Sequence, residues 1–208
     1  MAILLLRHGE TALNAARVMQ PVDTPLSPRG EQQARAAARR LAARGGIGAI
    51  LSSDLPRARL TADTIAAALA LPVQTSALLQ ERNFGDLRGR PYDTLGFDPL
   101  AMDAAPPGGE SAADFAQRVQ QAFDEMLQRH AALGADLLVV THGLLIRTLL
   151  AGALRHSAER RAALHELHLG NTSLSIFDAA PPHALQLLNC TRHLDDAGRD
   201  DARALSGG

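Results

Sequence analysis

Short apolar runs separated by segments of helical period make up most of the chain. Residues 3–6, 49–51 and 137–140 are continuous apolar runs without alternation. Such runs are typical of strands that are covered on both faces in a parallel sheet. Strands alternating with helices predict an α/β fold, here a three-layer α/β/α sandwich with a mostly parallel central sheet.

Three helices are predicted between these strands. From residue 31 to residue 44, small and apolar residues recur at helical spacing opposite arginines, and a glycine pair follows. Residues 56–69 predict a second helix, with Ser53 or Asp54 as its N-cap and a proline in its first turn. A third helix is predicted to start at Ser111, where Ser-Ala-Ala-Asp resembles a capping box.

The remaining pattern predicts an edge hairpin, a lid and a tail. Residues 173–177 and 184–188 predict an antiparallel hairpin at one edge of the sheet. Residues 82–110 are rich in Gly, Pro and Asp and are longer than an ordinary connection, so we expect either a functional lid or a partly disordered segment there. Residues 195–208 are polar and small and predict a flexible tail. Residues 1–194 are therefore expected to form a single domain.

Composition narrows the classes of partner. With 208 residues, 46% of them apolar, the chain is long enough for one sizeable core. A net charge of -1, one Tyr and no Trp argue against a nucleic-acid partner, and the apolar stretch at residues 2–6 is too short to cross a membrane. The single cysteine, Cys190, indicates a reducing compartment, so we expect a cytoplasmic protein. The pattern leaves a homodimer open.

Two His-Gly pairs follow predicted strands. The first strand leads into Arg7-His8-Gly9, and a later one leads into His142-Gly143. Because ligands bind beyond the carboxyl ends of strands in such sheets, both pairs are expected at one rim. Strand alternation would point Arg7 and His8 to opposite faces. For both to contact one ligand, we expect the first strand to end at residue 6.

A third strand is followed by an arginine in the first turn of a helix. Arg57 is unfavourable to the helix at that place, whereas an anionic ligand would compensate its charge. This stretch alone is equally compatible with a solvated arginine. Together with Arg7, two guanidinium groups near two imidazoles form a site shaped for phosphate.

Six ordered motifs then carry a family resemblance. They are LLLRHGETALN, PVDTPLSPRGEQQA, LSSDLPRARLTADTI, LQERNFGDLRG, PPGGES and VVTHGLLIRTLL. In this order they resemble the histidine phosphatase superfamily, the group that contains the cofactor-dependent phosphoglycerate mutases. The resemblance runs from residue 3 to about residue 150, with a weaker echo in GNTSLSIF and LLNCTRHL.

The resemblance implies a role for each catalytic candidate. His8 would attack the phosphoryl group, because a neutral imidazole has a free lone pair and an ordinary pKa of about 6.5. Arg7, Arg57 and His142 would bind the phosphate oxygens. Glu81 would protonate the leaving oxygen and then, as a carboxylate, activate water.

Four further residues are implied in substrate binding. Asn14 and Thr11 fall where the family has extra polar contacts, although a turn amide and a helix-start hydroxyl explain them equally well. Arg82, which follows Glu81, and Gly143, which follows His142, are also expected to contact substrate.

No cofactor and no metal are expected. His165 and His168 are three residues apart on a predicted helix, and Cys190 precedes His193 by three. Neither pair has a second pair at a structural zinc spacing, so we interpret both as surface or edge residues.

The favoured function is a metal-independent phosphoric monoester hydrolase, of the histidine acid phosphatase type, acting on a small phosphorylated metabolite through phospho-His8. A 2,3-bisphosphoglycerate-dependent phosphoglycerate mutase is the first alternative. Residues 92–109 contain no Lys or Arg to hold a second anionic group, which favours hydrolysis. A non-catalytic protein that binds a phosphorylated ligand on the same fold is the second alternative.

Overall fold

The computed structural model describes residues 1–152, 164 and 167–194. One six-stranded sheet has the order β3-β2-β4-β1-β5-β6. Its strands are β1 (Ala2–Arg7), β2 (Ile47–Ser52), β3 (Val73–Thr75), β4 (Asp136–Thr141), β5 (Leu174–Asp178) and β6 (Leu185–Cys190). The first four strands run parallel, and β5 and β6 add an antiparallel edge beside β1.

Helices cover both faces of this sheet. They are α1 (Ala12–Ala15), α2 (Pro28–Arg44), α3 (Pro56–Leu69), α4 (Ala112–Ala131) and α5 (Gly143–Gly152). Leu4 and Leu6 of β1 belong to one buried cluster with α2 and α3, whereas Ile3 and Leu5 belong to the other with α4 and α5. Alternate residues of β1 are thus buried on opposite faces, which confirms the predicted three-layer α/β/α sandwich.

The predicted helices are close to those observed, but one predicted cap is wrong. α3 has the predicted bounds, and Ser111 caps α4 by accepting the Asp114 N–H at 3.0 Å. Neither Ser53 nor Asp54 caps α3: its N-cap is Leu55, which has no side-chain acceptor. Ser53 is instead committed to His142, and Asp54 accepts from Gln80.

The predicted end of the first strand is also wrong. β1 continues through Arg7, which is in register with Thr141 and donates its backbone N–H to the Ser173 carbonyl at 3.2 Å. The chain leaves the sheet only at His8, so strand alternation no longer fixes the direction of the His8 side chain. This removes the conflict between Arg7 and His8 without shortening the strand.

The edge hairpin is confirmed, and a short parallel strand was missed. β5 and β6 lie within one or two residues of the predicted hairpin strands. β3 has three residues and only one of them is apolar, so its pattern was too short to detect. The predicted tail, residues 195–208, lies outside the described residues, and the extent of the domain stays a prediction.

The lid segment is built from short turns. Residues 82–110 contain three single 3₁₀ turns, Gly85–Leu87, Tyr92–Thr94 and Pro99–Ala101. In the part of the chain that the structure describes, no helix is both long and apolar enough to cross a membrane.

Candidate active site

Two histidines lie side by side at the carboxyl ends of neighbouring parallel strands. β1 and β4 pair in register as far as Arg7 and Thr141, and the next residues are His8 and His142. The His8 N–H donates to the Thr141 carbonyl at 2.9 Å. The two imidazole centroids are 5.1 Å apart, with the rings tilted by 59°, and both side chains are 0% exposed. The structure therefore brings the two His-Gly pairs to one rim.

The turn after β1 passes too close to α2 for any side chain. A Cβ on Gly9 would lie 2.5 Å from the Gly30 carbonyl oxygen. The Gly9 N–H donates to Thr61 Oγ1 at 3.0 Å, which ties the same turn to α3. Gly9 thus lets the backbone that carries His8 dock tightly against both helices.

The hydrogen bonding of His8 determines its tautomer. His8 Nδ1 is 2.7 Å from the Gly9 carbonyl oxygen. A carbonyl oxygen only accepts, so Nδ1 carries the hydrogen. In the neutral imidazole, Nε2 then has the lone pair.

Arg57 is held at the uncapped amino end of α3. Its side chain is 2% exposed, and Nη1 donates to the Pro21 carbonyl at 3.4 Å. Its Nε is buried without a hydrogen-bond partner among the described residues. Burial lowers the pKa of Arg57 to about 10, with Glu81 opposing the change, so the guanidinium stays charged at neutral pH. An anion at this helix end would be favourable to both the charge and the helix dipole.

Glu81 is a buried carboxyl at the start of the lid. Oε2 accepts the Leu144 N–H in the first turn of α5 at 3.0 Å, and Oε1 accepts the Arg82 N–H at 3.1 Å. These two bonds favour the carboxylate, but burial has the larger effect and raises the pKa of Glu81 above its usual range. A carboxyl in this state can hold a proton at a higher pH than an exposed glutamate.

His142 is neutral at ordinary pH. Burial, followed by the charges of Arg57, His8 and Arg7, lowers the pKa of His142 well below its usual range. Its Nε2 is 2.9 Å from Ser53 Oγ. Its Nδ1 is buried and has no hydrogen-bond partner in the described part of the chain.

The effects of the arginine charges on the pKa values of Glu81 and His142 show that these groups are neighbours. Arg57 and Arg7 both act on the pKa of Glu81 and on that of His142. All five catalytic candidates, including His8, are at most 5% exposed. They therefore form one buried cluster of two cations, two imidazoles and one carboxyl group.

Asn14 and Thr11 are engaged within the protein. Thr11 is the N-cap of α1, and its side chain and that of Asn14 form a reciprocal capping box. Asn14 Nδ2 donates to Asn171 Oδ1 at 2.9 Å, and Asn171 Nδ2 donates to the His8 carbonyl at 2.9 Å. This arrangement favours the structural interpretation of Asn14 and Thr11, and Asn171 is a positioning residue that the sequence pattern did not reveal.

Arg82 braces the lid from inside. It is 3% exposed, and it donates to the carbonyls of Glu110 at 3.1 Å and of Ala104 at 3.3 Å. Its guanidinium lies 5.4 Å from the centroid of the Phe84 ring. Gly143, the other predicted substrate contact beside a catalytic candidate, is buried as the first residue of α5.

Arg118 joins the two ends of the lid and was missed from the sequence. From α4 it donates to both carboxylate oxygens of Glu110 at 2.7 Å, and to the carbonyls of Leu78 at 2.9 Å and Gln80 at 2.7 Å. One feature of the sequence could have indicated a buried arginine. Arg118 directly precedes Val119 on a helix whose apolar face otherwise carries no charged residue.

A narrow cavity opens beside the cluster. It is lined by Met19, Gln20, Arg57, Glu81, Arg82, Phe84 and Arg88, and only about 10 Å³ is open to the centre of a water molecule. That is room for about one water molecule. Arg88 adds a cation that lies outside the stretch 92–109 considered above.

The two pairs with metal-like spacing are His165 with His168 and Cys190 with His193. No group of three His, Cys, Asp or Glu suited to a metal occurs among residues 1–152, 164 and 167–194. Cys190 Sγ accepts a hydrogen bond from Arg40 at 3.3 Å, and Arg40 also donates to His193. His168 is described outside any helix, and His165 lies outside the described residues.

Comparison with known proteins gives concordant matches. The model of the histidine phosphatase superfamily (branch 1) matches residues 3–191. The bifunctional protein Rv2228c of Mycobacterium tuberculosis is 39% identical over 203 residues, which are 92% of this chain and 54% of the relative. The chain thus spans about half the length of that relative.

Two further matches cover both partners almost completely. The probable phosphoglycerate mutase GpmB of Yersinia enterocolitica is 35% identical, over 97% of this chain and 98% of the relative. The solved structure of a mycobacterial glucosyl-3-phosphoglycerate phosphatase complexed with VO3 has a TM-score of 0.77 and 30% identity, and covers 91% of this chain and 99% of that one.

Proposed function

This chain belongs to the histidine phosphatase superfamily (branch 1), and on that premise we propose that it hydrolyses small phosphomonoesters through a phosphohistidine on His8. The observation that carries the proposal is the 5.1 Å pairing of the His8 and His142 rings beside buried Arg57 and Glu81. This cluster supplies a nucleophile, a proton donor and cations from side chains alone, so the proposed reaction is independent of metal.

The first step forms a bond from His8 Nε2 to phosphorus. The bond from phosphorus to the ester oxygen breaks, and its electron pair stays on the leaving oxygen. Glu81, whose raised pKa favours the protonated form, donates the proton that makes this oxygen an alcohol. The product of the step is phospho-His8 with Glu81 as a carboxylate.

The second step returns the site to its starting state. Water attacks the phosphorus of phospho-His8, and the Glu81 carboxylate accepts a proton from it. The bond from Nε2 to phosphorus breaks, and inorganic phosphate leaves. Glu81 is then protonated again and ready for the next ester.

Charge on the transferring phosphoryl group is met by buried donors. Arg57 Nε and His142 Nδ1 lack hydrogen-bond partners among the residues described, and phosphoryl oxygens are suitable acceptors for both. Arg7 adds a second fixed positive charge at the end of β1. Donors that are already oriented lose little free energy in reorganisation when charge develops.

The mutase alternative has support of its own. The chain is similar to GpmB along nearly its whole length, and Arg82 and Arg88 line the cavity beside Glu81. Two cations there suit a substrate with a second anionic group, such as the carboxylate of a phosphoglycerate. A phosphatase acting on such a phosphorylated acid would use the same two arginines. They therefore support a substrate with a second anionic group, but they do not distinguish a mutase from a phosphatase.

One assay tests the proposal directly. Release of phosphate from p-nitrophenyl phosphate in excess chelator is measured for wild type, His8→Ala and the control His130→Ala. We expect His8→Ala to lose about 10⁴-fold or more in rate, as removal of a nucleophile does, whereas His130→Ala keeps wild-type activity. Acid-labile phosphate should be trapped on the wild type and not on His8→Ala.

The alternatives give different results in the same experiment. Isomerisation of 3-phosphoglycerate with 2,3-bisphosphoglycerate that outpaces phosphate release would establish the mutase. Equal rates for wild type and His8→Ala would contradict a phosphohistidine mechanism. A protein that neither hydrolyses esters nor traps phosphate would be a phospho-ligand-binding member of the family.

A further inference from the structure

A second basic pocket lies away from the His8 cluster, between α2 and the turn after β6. It has a volume of about 450 Å³ and is lined by Ala36, Arg39, Arg40, Arg192 and His193. None of the described residues that line it is a carboxylate, and within the described part of the chain none of the three arginines forms an ion pair. Three like charges around one pocket repel one another unless an anion binds between them.

Arg40 fixes the position and the tautomer of His193. Its Nη1 donates to the Cys190 carbonyl at 3.2 Å and to His193 Nδ1 at 3.1 Å. A guanidinium only donates, so Nδ1 of His193 accepts and its hydrogen is on Nε2. Burial and the Arg40 charge lower the pKa of His193 to about 4, which agrees with a positive potential in this pocket.

His193 connects this pocket to the backbone of His8. Its Nε2 donates to Thr172 Oγ1 at 3.1 Å. The Thr172 N–H donates to the His8 carbonyl at 3.2 Å, and Thr172 has a φ of 53°, which is strained for a threonine. Two hydrogen bonds through Thr172 therefore connect His193 to the turn that holds His8.

We propose that the pocket lined by Arg39, Arg40, Arg192 and His193 is a second phosphate-binding site, separate from the His8 cluster and connected to it through Thr172. Guanidinium groups bind phosphate oxygens with paired N–H donors. The volume is in the range of small-ligand pockets. The shared chemistry is a phosphate dianion, supplied either by inorganic phosphate or by a phosphorylated metabolite.

The test counts phosphate sites by isothermal titration calorimetry. Wild type titrated with inorganic phosphate is expected to bind two per chain, and Arg57→Ala, which weakens the His8 site, only one with unchanged affinity at the second site. In the Arg57→Ala background, Arg39→Gln with Arg192→Gln should weaken that remaining site at least tenfold. Arg35→Gln, on the same helix but paired with Glu31, is the matched control and should leave it unchanged.

A structural readout and a second ligand complete the test. In Arg57→Ala, phosphate should shift the backbone amide resonances of His193 and Thr172, and it should leave both in place when Arg39→Gln and Arg192→Gln are added. Glycerol 2-phosphate, titrated into Arg57→Ala with His8→Ala to weaken the first site and prevent hydrolysis, distinguishes the sources: tighter binding than phosphate indicates a metabolite, and weaker binding indicates inorganic phosphate.

Two results would overturn the proposal. One is a phosphate stoichiometry and affinity that Arg39→Gln with Arg192→Gln leaves unchanged. The other concerns Asp195 and Asp196, which follow in the sequence and lie outside the described residues. If phosphate binds at the pocket in the double variant Asp195→Asn with Asp196→Asn but not in the wild type, the two carboxylates fill the pocket of the wild type in place of phosphate.

Discussion

The rim of the sheet and the lid hold their functional side chains in different ways. At the rim, His8, Ser53 and His142 directly follow strands, and backbone hydrogen bonds such as Ser53 N–H to the Val140 carbonyl at 2.9 Å continue the ladder up to them. In the lid, single 3₁₀ turns are held at their base by Arg118 and Glu110. Groups that must be placed accurately for chemistry are thus fixed by the sheet, whereas the segment over the cavity depends on a few side chains.

This difference bears on how substrate enters. The cavity beside Arg57 and Glu81 holds about one water molecule, so a larger ligand would enter it only if its walls moved. A movement of the rim would break the strand ladder, whereas a movement of the lid would exchange the carbonyl contacts of Arg82. We therefore propose that catalysis depends on the rim and admission of substrate on the lid, and the following variants test that division.

Glu81→Gln has the largest expected effect, because Glu81 belongs to both regions. The amide keeps an acceptor for the Leu144 N–H but has no proton to give to a leaving oxygen. We expect kcat/KM for an alkyl phosphate to fall by about 10² to 10⁴. For p-nitrophenyl phosphate, whose phenolate leaves without a proton, kcat/KM should change little, and a burst of nitrophenol should precede slow turnover.

The pH dependence of kcat/KM in the wild type tests whether Glu81 acts in its protonated form. The acid form of Glu81 is required, so kcat/KM for the alkyl ester falls as pH rises through the pKa of Glu81. Because that pKa is raised, the fall comes at a higher pH than for an exposed glutamate. It should be absent from the p-nitrophenyl phosphate profile; equal losses on both esters in Glu81→Gln would contradict the role of proton donor.

Arg118→Met is expected to loosen the lid and lower stability. Glu110 and the carbonyls of Leu78, Gln80 and Glu81 would lose their donor. The Arg118 and Glu110 side chains are only 17% and 21% exposed. Breaking a fully buried pair costs about 3 to 5 kcal/mol, and partial exposure reduces this to about 2 kcal/mol. Urea unfolding followed by circular dichroism measures the change in the free energy of unfolding.

Arg129→Met is the matched control on the same helix. Arg129 pairs with Glu125 at the surface, with 37% of its side chain exposed, and its loss should cost about 0.5 kcal/mol or less. If both variants lose the same stability, the base of the lid is no more tightly held than the helix surface.

The sequence predicted the rim better than the lid for a physical reason. Strand ends are visible in a local pattern, and parallel strands bring residues such as His8 and His142 to one rim whatever the details of packing. Glu81 is different, because its burial and its bond to the Leu144 N–H join residues 63 positions apart. No local pattern encodes that contact, and from its neighbours alone Glu81 is only a carboxylate at the start of a loop.

At the rim, local preferences compete with long-range partners. Ser53 is a good N-cap residue by propensity, yet His142, which is 89 positions away, takes its hydroxyl. The substrate contact of Asn14 stays a prediction, and Asn171 and the capping box already use its amide. In both cases the side chain was recognised as functional or structural from its type, but its partner depended on the complete fold.

Ser53→Ala has the smallest expected effect and tests how accurately the rim holds His142. Loss of one hydrogen bond of about 1 kcal/mol corresponds to a rate loss of about fivefold. If His142 acts on the transferring phosphoryl group, kcat and kcat/KM should fall together. Ser52→Ala is the matched control. Ser52 directly precedes Ser53 and is equally buried, but its hydroxyl donates to the Ser53 carbonyl at 2.8 Å rather than contacting His142.

Nitrogen NMR of the His142 ring separates an effect on orientation from a general loosening of this loop. Ser53→Ala should shift the Nε2 resonance of His142, whereas Ser52→Ala should leave it in place. If the two alanine variants lose activity equally and neither shifts Nε2, the loop rather than the hydroxyl positions His142. The sheet would then hold this histidine through its backbone alone, as it does His8 through the bond to the Thr141 carbonyl.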